Sequence, residues 1–280
     1  VLRGYLIDNL TVFRNLGHYA KLASRPAMLV CFCAGLLLSI PAHAFDQQDG
    51  AEPTGERKAW TTFRFGFSAY KSGRKDEAFK AYSDAAKDGH IGARWKLAKM
   101  YAAGDGVEEN DFEAFQILRG IVKEGAEQGS RDSSFVADAL VSIGAYVQRG
   151  IAGSPVKADP ARARDIYWQA AANFKDADAQ FELGKMFLSG EGGAVDPRQA
   201  GRWFNLSASK GHAGSQAMLG KMMFDAGKTV EGLGLMTAAL HNAEEGDRGW
   251  IRAMQEEAFA VSSEADRRTG ISYGDSLARN

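Results

Sequence analysis

Two histidines recur at matching places in this chain. His90 and His212 each follow a glycine, Gly89 and Gly211, where one stretch of a repeated pattern gives way to the next. Imidazole titrates between about pH 5 and 8, so a pair of such residues at unit junctions suits a pH sensor. The plainer alternative is a turn residue between units, and position alone favours it. Three lysines recur as well. Lys99, Lys185 and Lys221 each stand two residues after an equivalent leucine. They are expected to point away from the apolar seam and form a ladder that receives an acidic partner segment. The alternative is an ordinary solvated lysine position.

Other chemistry is scarce. There is no P-loop, H-E-x-x-H motif or Cys/His ligand set, and no catalytic constellation is expected. Glu108-Glu109, Glu244-Glu245 and Glu256-Glu257 are adjacent pairs, which diverge on a helix and read as solvated faces. The loop from Gly104 to Asp111 mixes acids and glycines but lacks the ligand order of a calcium loop. The expectation is therefore no enzyme, no metal, no cofactor and no small-molecule substrate. A formal net charge of −1, from 34 Lys+Arg against 35 Asp+Glu, also argues against a nucleic-acid partner.

These totals mix two segments. Both cysteines, Cys31 and Cys33, lie in the apolar run Pro26–Ile40, preceded by Arg25 and followed by Pro41-Ala-His-Ala44. A positive start, a short apolar core and an A-x-A exit form a secretory signal peptide. The run is short for a transmembrane helix. Cleavage is expected between Ala44 and Phe45, with export to the periplasm; an uncleaved anchor is the alternative. Residues 1–44 hold four of the basic residues and one of the acidic ones, so the remainder carries 30 against 34. It contains no cysteine, and its stability must come from packing.

A repeated sequence pattern positions the histidines and lysines. Ala93-Arg-Trp-Lys-Leu97-Ala-Lys-Met-Tyr101-Ala-Ala-Gly104-Asp-Gly106 is echoed by Ala179-Gln-Phe-Glu-Leu183-Gly-Lys-Met-Phe187-Leu-Ser-Gly190-Glu-Gly192. Ser215-Gln-Ala-Met-Leu219-Gly-Lys-Met-Met223 and the weaker Ala139-Leu-Val-Ser-Ile143-Gly-Ala-Tyr-Val147 repeat it again. The register residues Leu97, Ile143, Leu183 and Leu219 lie 46, 40 and 36 residues apart, a period that means stacked supersecondary units. Second helices are signalled by Ala163, Tyr167, Trp168 and Ala171, and by Ala200, Trp203, Phe204 and Ala208. Asp159-Pro160 and Asp196-Pro197 read as N-cap and first helical residue. Gly104, Gly190 and Gly227 end first helices. Ala78, Tyr82 and Ala85, with Phe63, Phe67 and Tyr70, form a degenerate opening unit.

The fold class is thus all-α, a solenoid of helix-turn-helix units, and the pattern closely resembles Sel1-like repeats, relatives of the tetratricopeptide class. The expected organisation is leader and signal peptide 1–44, flexible lead-in 45–62, repeat array 63–243, C-terminal capping helix 244–270 and loose tail 271–280. Trp250, Met254, Ala258 and Val261 mark the face of the capping helix. A partner-binding helix is the alternative there.

Phe63-Arg-Phe-Gly-Phe-Ser-Ala-Tyr-Lys-Ser-Gly73, Gly89-His90 and Trp95-Lys-Leu-Ala-Lys-Met-Tyr-Ala-Ala-Gly-Asp-Gly-Val107 narrow the match. Over most of its length the chain is similar to the periplasmic negative regulators of exopolysaccharide synthesis in rhizobial-type bacteria, the ExoR family. The resemblance implies a protein that binds the periplasmic domain of a membrane sensor histidine kinase in a two-component system. Binding represses exopolysaccharide production and permits motility, and a periplasmic protease relieves it under acid or host signals. The proposed mechanism is occlusion by the concave surface, with nicking at loops 104–111 and 149–158. Two other classes stay open: a structural adaptor of envelope or cell-wall machinery, and a secreted hydrolase carried on Sel1-like repeats.

Overall fold

The computed structural model describes residues 55–279. The expected signal segment, its Ala44–Phe45 cleavage point and both cysteines lie outside them. The described residues form twelve α-helices and no strand. In order they are α1 (Gly55–Lys71), α2 (Lys75–Lys87), α3 (Ile91–Ala103), α4 (Asp111–Glu124), α5 (Ser133–Arg149) and α6 (Pro160–Asn173). Then come α7 (Ala177–Ser189), α8 (Pro197–Ala208), α9 (Ala213–Asp225), α10 (Thr229–Asn242), α11 (Glu245–Ala260) and α12 (Glu264–Ala278). From α1 to α10 consecutive helices pack on one another as five pairs, while α11 packs on α10 and α9, and α12 on α10. Each pair buries only one side alone, so stacking completes the core.

In three of the pairs a glycine on the first helix lets an aromatic ring of the second come close. A Cβ built on Gly184 would lie 2.6 Å from the Phe204 ring, and one on Gly144 2.7 Å from Tyr167. Tyr82, Tyr167 and Phe204 are consequently among the most deeply buried side chains. Burial pushes the Tyr82 phenol up to about 12 and raises Tyr167 as well. The register residues Leu97, Ile143, Leu183 and Leu219 are all buried.

The helix ends reflect the chemistry of their residues. Asp159 accepts from the Arg162 amide at 3.0 Å, and Asp196 from Arg198 and Gln199, each just ahead of an N1 proline. Gly104 and Gly190 close α3 and α7 in the left-handed region, at φ 61° and 77°. There an L side chain would be strained.

Three boundaries differ from expectation. The stretch 45–62, expected as a flexible lead-in, is helical from Gly55, because Ala59 is buried and Trp60 stacks on Phe63 at 5.7 Å. The single capping helix over 244–270 is two helices. Ser263 breaks it and accepts from the Asp266 amide at 3.1 Å, capping α12. Most of the tail expected to be loose, 271–280, is helical: α12 runs to Ala278 with Gly270 and Gly274 buried against α10. Val261, expected on the covered face, is 79% exposed at the break between α11 and α12. Ile251, Gln255 and Ala258 make the buried stripe of α11 instead.

Candidate partner-binding face and its histidine caps

Both recurring histidines are helix caps. His90 Nδ1 accepts from the Ala93 amide at 3.1 Å at the start of α3, and His212 Nδ1 accepts from Ser215 at 3.0 Å at the start of α9. The corresponding cap of α7 is a carboxylate, with Asp176 accepting from Ala179 at 2.8 Å. A cap satisfies an amide the helix itself leaves unpaired. An imidazole does so only while Nδ1 carries no proton. Protonation would remove the acceptor and place a positive charge at the positive end of the helix.

Their surroundings differ. The His90 ring stacks on Phe63 at 4.2 Å and on Trp60 at 5.5 Å, both on α1. Burial lowers its pKa, with the Asp132 charge acting in the opposite sense. The His212 ring packs on Phe181 at 4.6 Å, and its Nε2 lies 3.3 Å from Asp178. Contact with His212 pulls the Asp178 carboxyl down, against the effect of burial. Phe63 and Phe181 occupy equivalent places two residues before the register position, and Trp60 and Asp178 equivalent places five before it. Sequence reasoning found the histidines but not these partners, although the repeat register carried the signal.

The three ladder lysines do not form a uniform row. Lys185 pairs with Glu182 at 2.8 Å and Lys221 with Asp225 at 2.6 Å, each on its own helix. Lys99 has no carboxylate at ion-pair distance among the described residues, and its ammonium lies 5.6 Å from the Trp95 ring centre. Its charge is felt by Asp138 on α5 and Asp178 on α7, lowering both, while burial raises Asp138 overall. Next to it, half-buried Lys96 is lowered by burial and by the like charge of Lys99. Lys99 thus has no ion pair on its own helix and faces the carboxylates of Asp138 and Asp178 at longer range.

Among the described residues no group of His, Cys, Asp and Glu could hold a metal ion. One catalytic-looking pattern is present, contrary to the expectation of none. Gly270-Ile-Ser272-Tyr-Gly274 has G-x-S-x-G spacing. It lies inside α12, whereas a nucleophile elbow needs a strand, a sharp turn and a helix. Its glycines serve packing: a Cβ on Gly274 would meet the Gly234 carbonyl at 2.5 Å.

The loops proposed for nicking are tied down. Asp105 bonds to Tyr70 and Lys75, and the Asn110 amide donates to the Tyr101 carbonyl. In the 149–158 loop Ile151 is buried, its amide bonds Val156, and Asp159 bonds back to Val147. Residues 125–132, between α4 and α5, are more open: seven of the eight are exposed.

Helix pairs of this pattern define the class. The Sel1 repeat family matches residues 91–119, 137–173 and 177–212. Among solved structures, a Sel1 repeat protein from Oxalobacter formigenes is similar with a TM-score of 0.56 at 25% identity, over 79% of this chain and 87% of its own. A protective antigen of uropathogenic Escherichia coli with an SLR fold shares the fold, with a TM-score of 0.62 at 21% identity, over 79% of this chain and 45% of its own. This is a Sel1-repeat protein.

Full-length relatives are more specific. The exopolysaccharide production negative regulator of Rhizobium leguminosarum bv. viciae is 47% identical over 92% of this chain and 96% of its own length. That of Rhizobium meliloti (strain 1021) is 50% identical over 85% and 88%. The chain belongs to the family of exopolysaccharide production negative regulators.

Proposed function

We propose that this protein is a periplasmic negative regulator of exopolysaccharide production. It binds the periplasmic domain of a membrane sensor histidine kinase and holds that two-component system down, so that polysaccharide synthesis is repressed and motility permitted. The observation that carries the regulatory role is the 47–50% identity, over nearly the whole of two relatives that bear that name. Stacked helical repeats support a mode of action by protein contact, since arrays of this kind present extended binding surfaces. The first-helix face with Lys99, Lys185 and Lys221 is the proposed contact, led by Lys99 because the other two are already paired.

Relief acts through loss of the folded array. The cap at His90, whose pKa burial lowers, supports an acid-sensitive stability, and a periplasmic protease would cut first where the backbone is least tied, at 125–132. Deleting the gene tests the role: polysaccharide output is expected to rise and swimming to fall. A deletion strain unchanged in both would refute it. The kinase step is tested separately by purifying its sensor domain and measuring binding to this chain, with charge reversal at Lys99 expected to weaken the complex more than reversal at Lys185 or Lys221.

A further inference from the structure

Helix α1 carries an outward face of unusual composition. Arg57, Trp60, Arg64, Phe67 and Lys71 succeed one another at steps of three and four, so cation and aromatic alternate along one side. Its buried stripe is elsewhere, at Ala59, Gly66 and Ala69. All five side chains are exposed, Trp60 at 46% and Phe67 at 41%. None of the three cations has a carboxylate at ion-pair distance among the described residues; Lys71 lies 5.0 Å from the Phe67 ring centre instead. A merely solvated face would not display two large aromatics, and aromatic residues with arginine are what protein interfaces favour.

Two further features point the same way. Phe67 stands at the repeat position of Lys99, and Lys96 of α3 lies over the Tyr70 ring of α1, so α3 adds two more cations beside this helix. On the other side of α1, Phe65 stands at the register position that is buried in every later unit, yet it is 53% exposed. No preceding unit among the described residues covers it.

We infer that this face docks an amphipathic acidic helix of a partner protein, with carboxylates and aliphatic side chains spaced to match the cations and rings. Charge complementarity selects the partner. A second copy of this face would bring the five exposed cations and rings against their like. The docking mode is that of an amphipathic helix laid along the exposed face of another, here α1. The inference stands apart from the kinase reading, because it names a chemistry and not a protein.

The probe is a labelled helical peptide of about 18 residues with Leu and Glu in alternate heptad places, titrated against the full chain by fluorescence anisotropy. Binding is expected to weaken about tenfold when Arg57→Glu, Arg64→Glu and Lys71→Glu are combined, and to weaken as salt rises from about 50 to about 500 mM. Phe67→Ser should also weaken it, with circular dichroism showing the helices retained. Equal affinity of the charge-reversed chain, or of a peptide with Lys for Glu, overturns the proposal. So does tighter binding after Asp46→Asn, Asp49→Asn and Glu52→Gln, which would make the chain's own acidic segment the occupant. A dimer in sedimentation that Phe67→Ser dissolves would make a second copy the occupant and overturn it likewise. No kinase sequence enters the probe, so this test and the deletion phenotype fail independently.

Discussion

The junction at His90 and the junction at His212 use one device in two environments. In each, an imidazole caps a first helix through Nδ1 and lies on an aromatic ring of the preceding first helix. At His90 the second neighbour is Trp60, which offers a face and no counter-charge. At His212 it is Asp178, 3.3 Å from Nε2, a carboxylate that faces the ring nitrogen opposite the cap. The difference shows that a repeated cap need not have repeated surroundings: the cap is local, while the second neighbour of the ring is set by the unit before. For His90 the sign is definite. Its folded pKa is lowered from 6.5, so it contributes stability that is present above that value and lost as pH falls through the folded one.

The strongest way to break the comparison is to remove the rings. Phe63→Ala and Phe181→Ala should each cost roughly 2–3 kcal/mol in chemical denaturation, less than a fully buried ring because both are half-buried. A cost under about 0.5 kcal/mol at either site would show that the stacking is incidental. Removing the caps comes next. His90→Ala and His212→Ala should each lose about 1 kcal/mol at pH 7.5.

His90→Asn sharpens the contrast, because an amide caps without titrating. Its stability at pH 7.5 should stay within about 0.5 kcal/mol of the parent, and the decline between about pH 7 and 5 should flatten. A variant that declines as steeply as the parent would place the acid response elsewhere. Asp178→Asn should have a smaller effect, below about 0.5 kcal/mol at neutral pH, since that side chain is 65% exposed. Its carboxyl is pulled down, so the contribution is present above the ordinary value of 3.8 and lost as pH falls through the folded one. The smallest effect belongs to Lys58→Ala, which breaks only an exposed pair with Asp88 at 3.6 Å. No change beyond about 0.3 kcal/mol is expected in thermal unfolding.

Legibility varied along the chain for physical reasons. The paired helices were readable because Leu97, Leu183 and Leu219 recur with their glycines and because Asp-Pro is a local start signal. The pairing of Lys185 with Glu182 and of Lys221 with Asp225 was also within reach, as these are steps of three and four on one helix. The seam on α1 was obscured by Pro53 and Gly55, which read as loop, although the spacing from Arg57 to Lys71 was already helical. At the other end Gly270 and Gly274 read as tail residues. Glycine weakens an isolated helix, and only the glycine at 234 on α10 turns them into a close helix contact.

By itself, then, the sequence determined what is local or periodic: an all-helical repeat array, the ends of most helices, and histidines at two unit junctions. Periodicity and capping act within a few residues, so they survive without knowledge of neighbours. Tertiary structure alone decided which carboxylates of other helices Lys99 faces, that Trp60 and Asp178 are what distinguish the two histidines, and that α12 packs on α10. Each of those depends on which side chain of one unit meets which of the next, and a chain does not state that until it has folded.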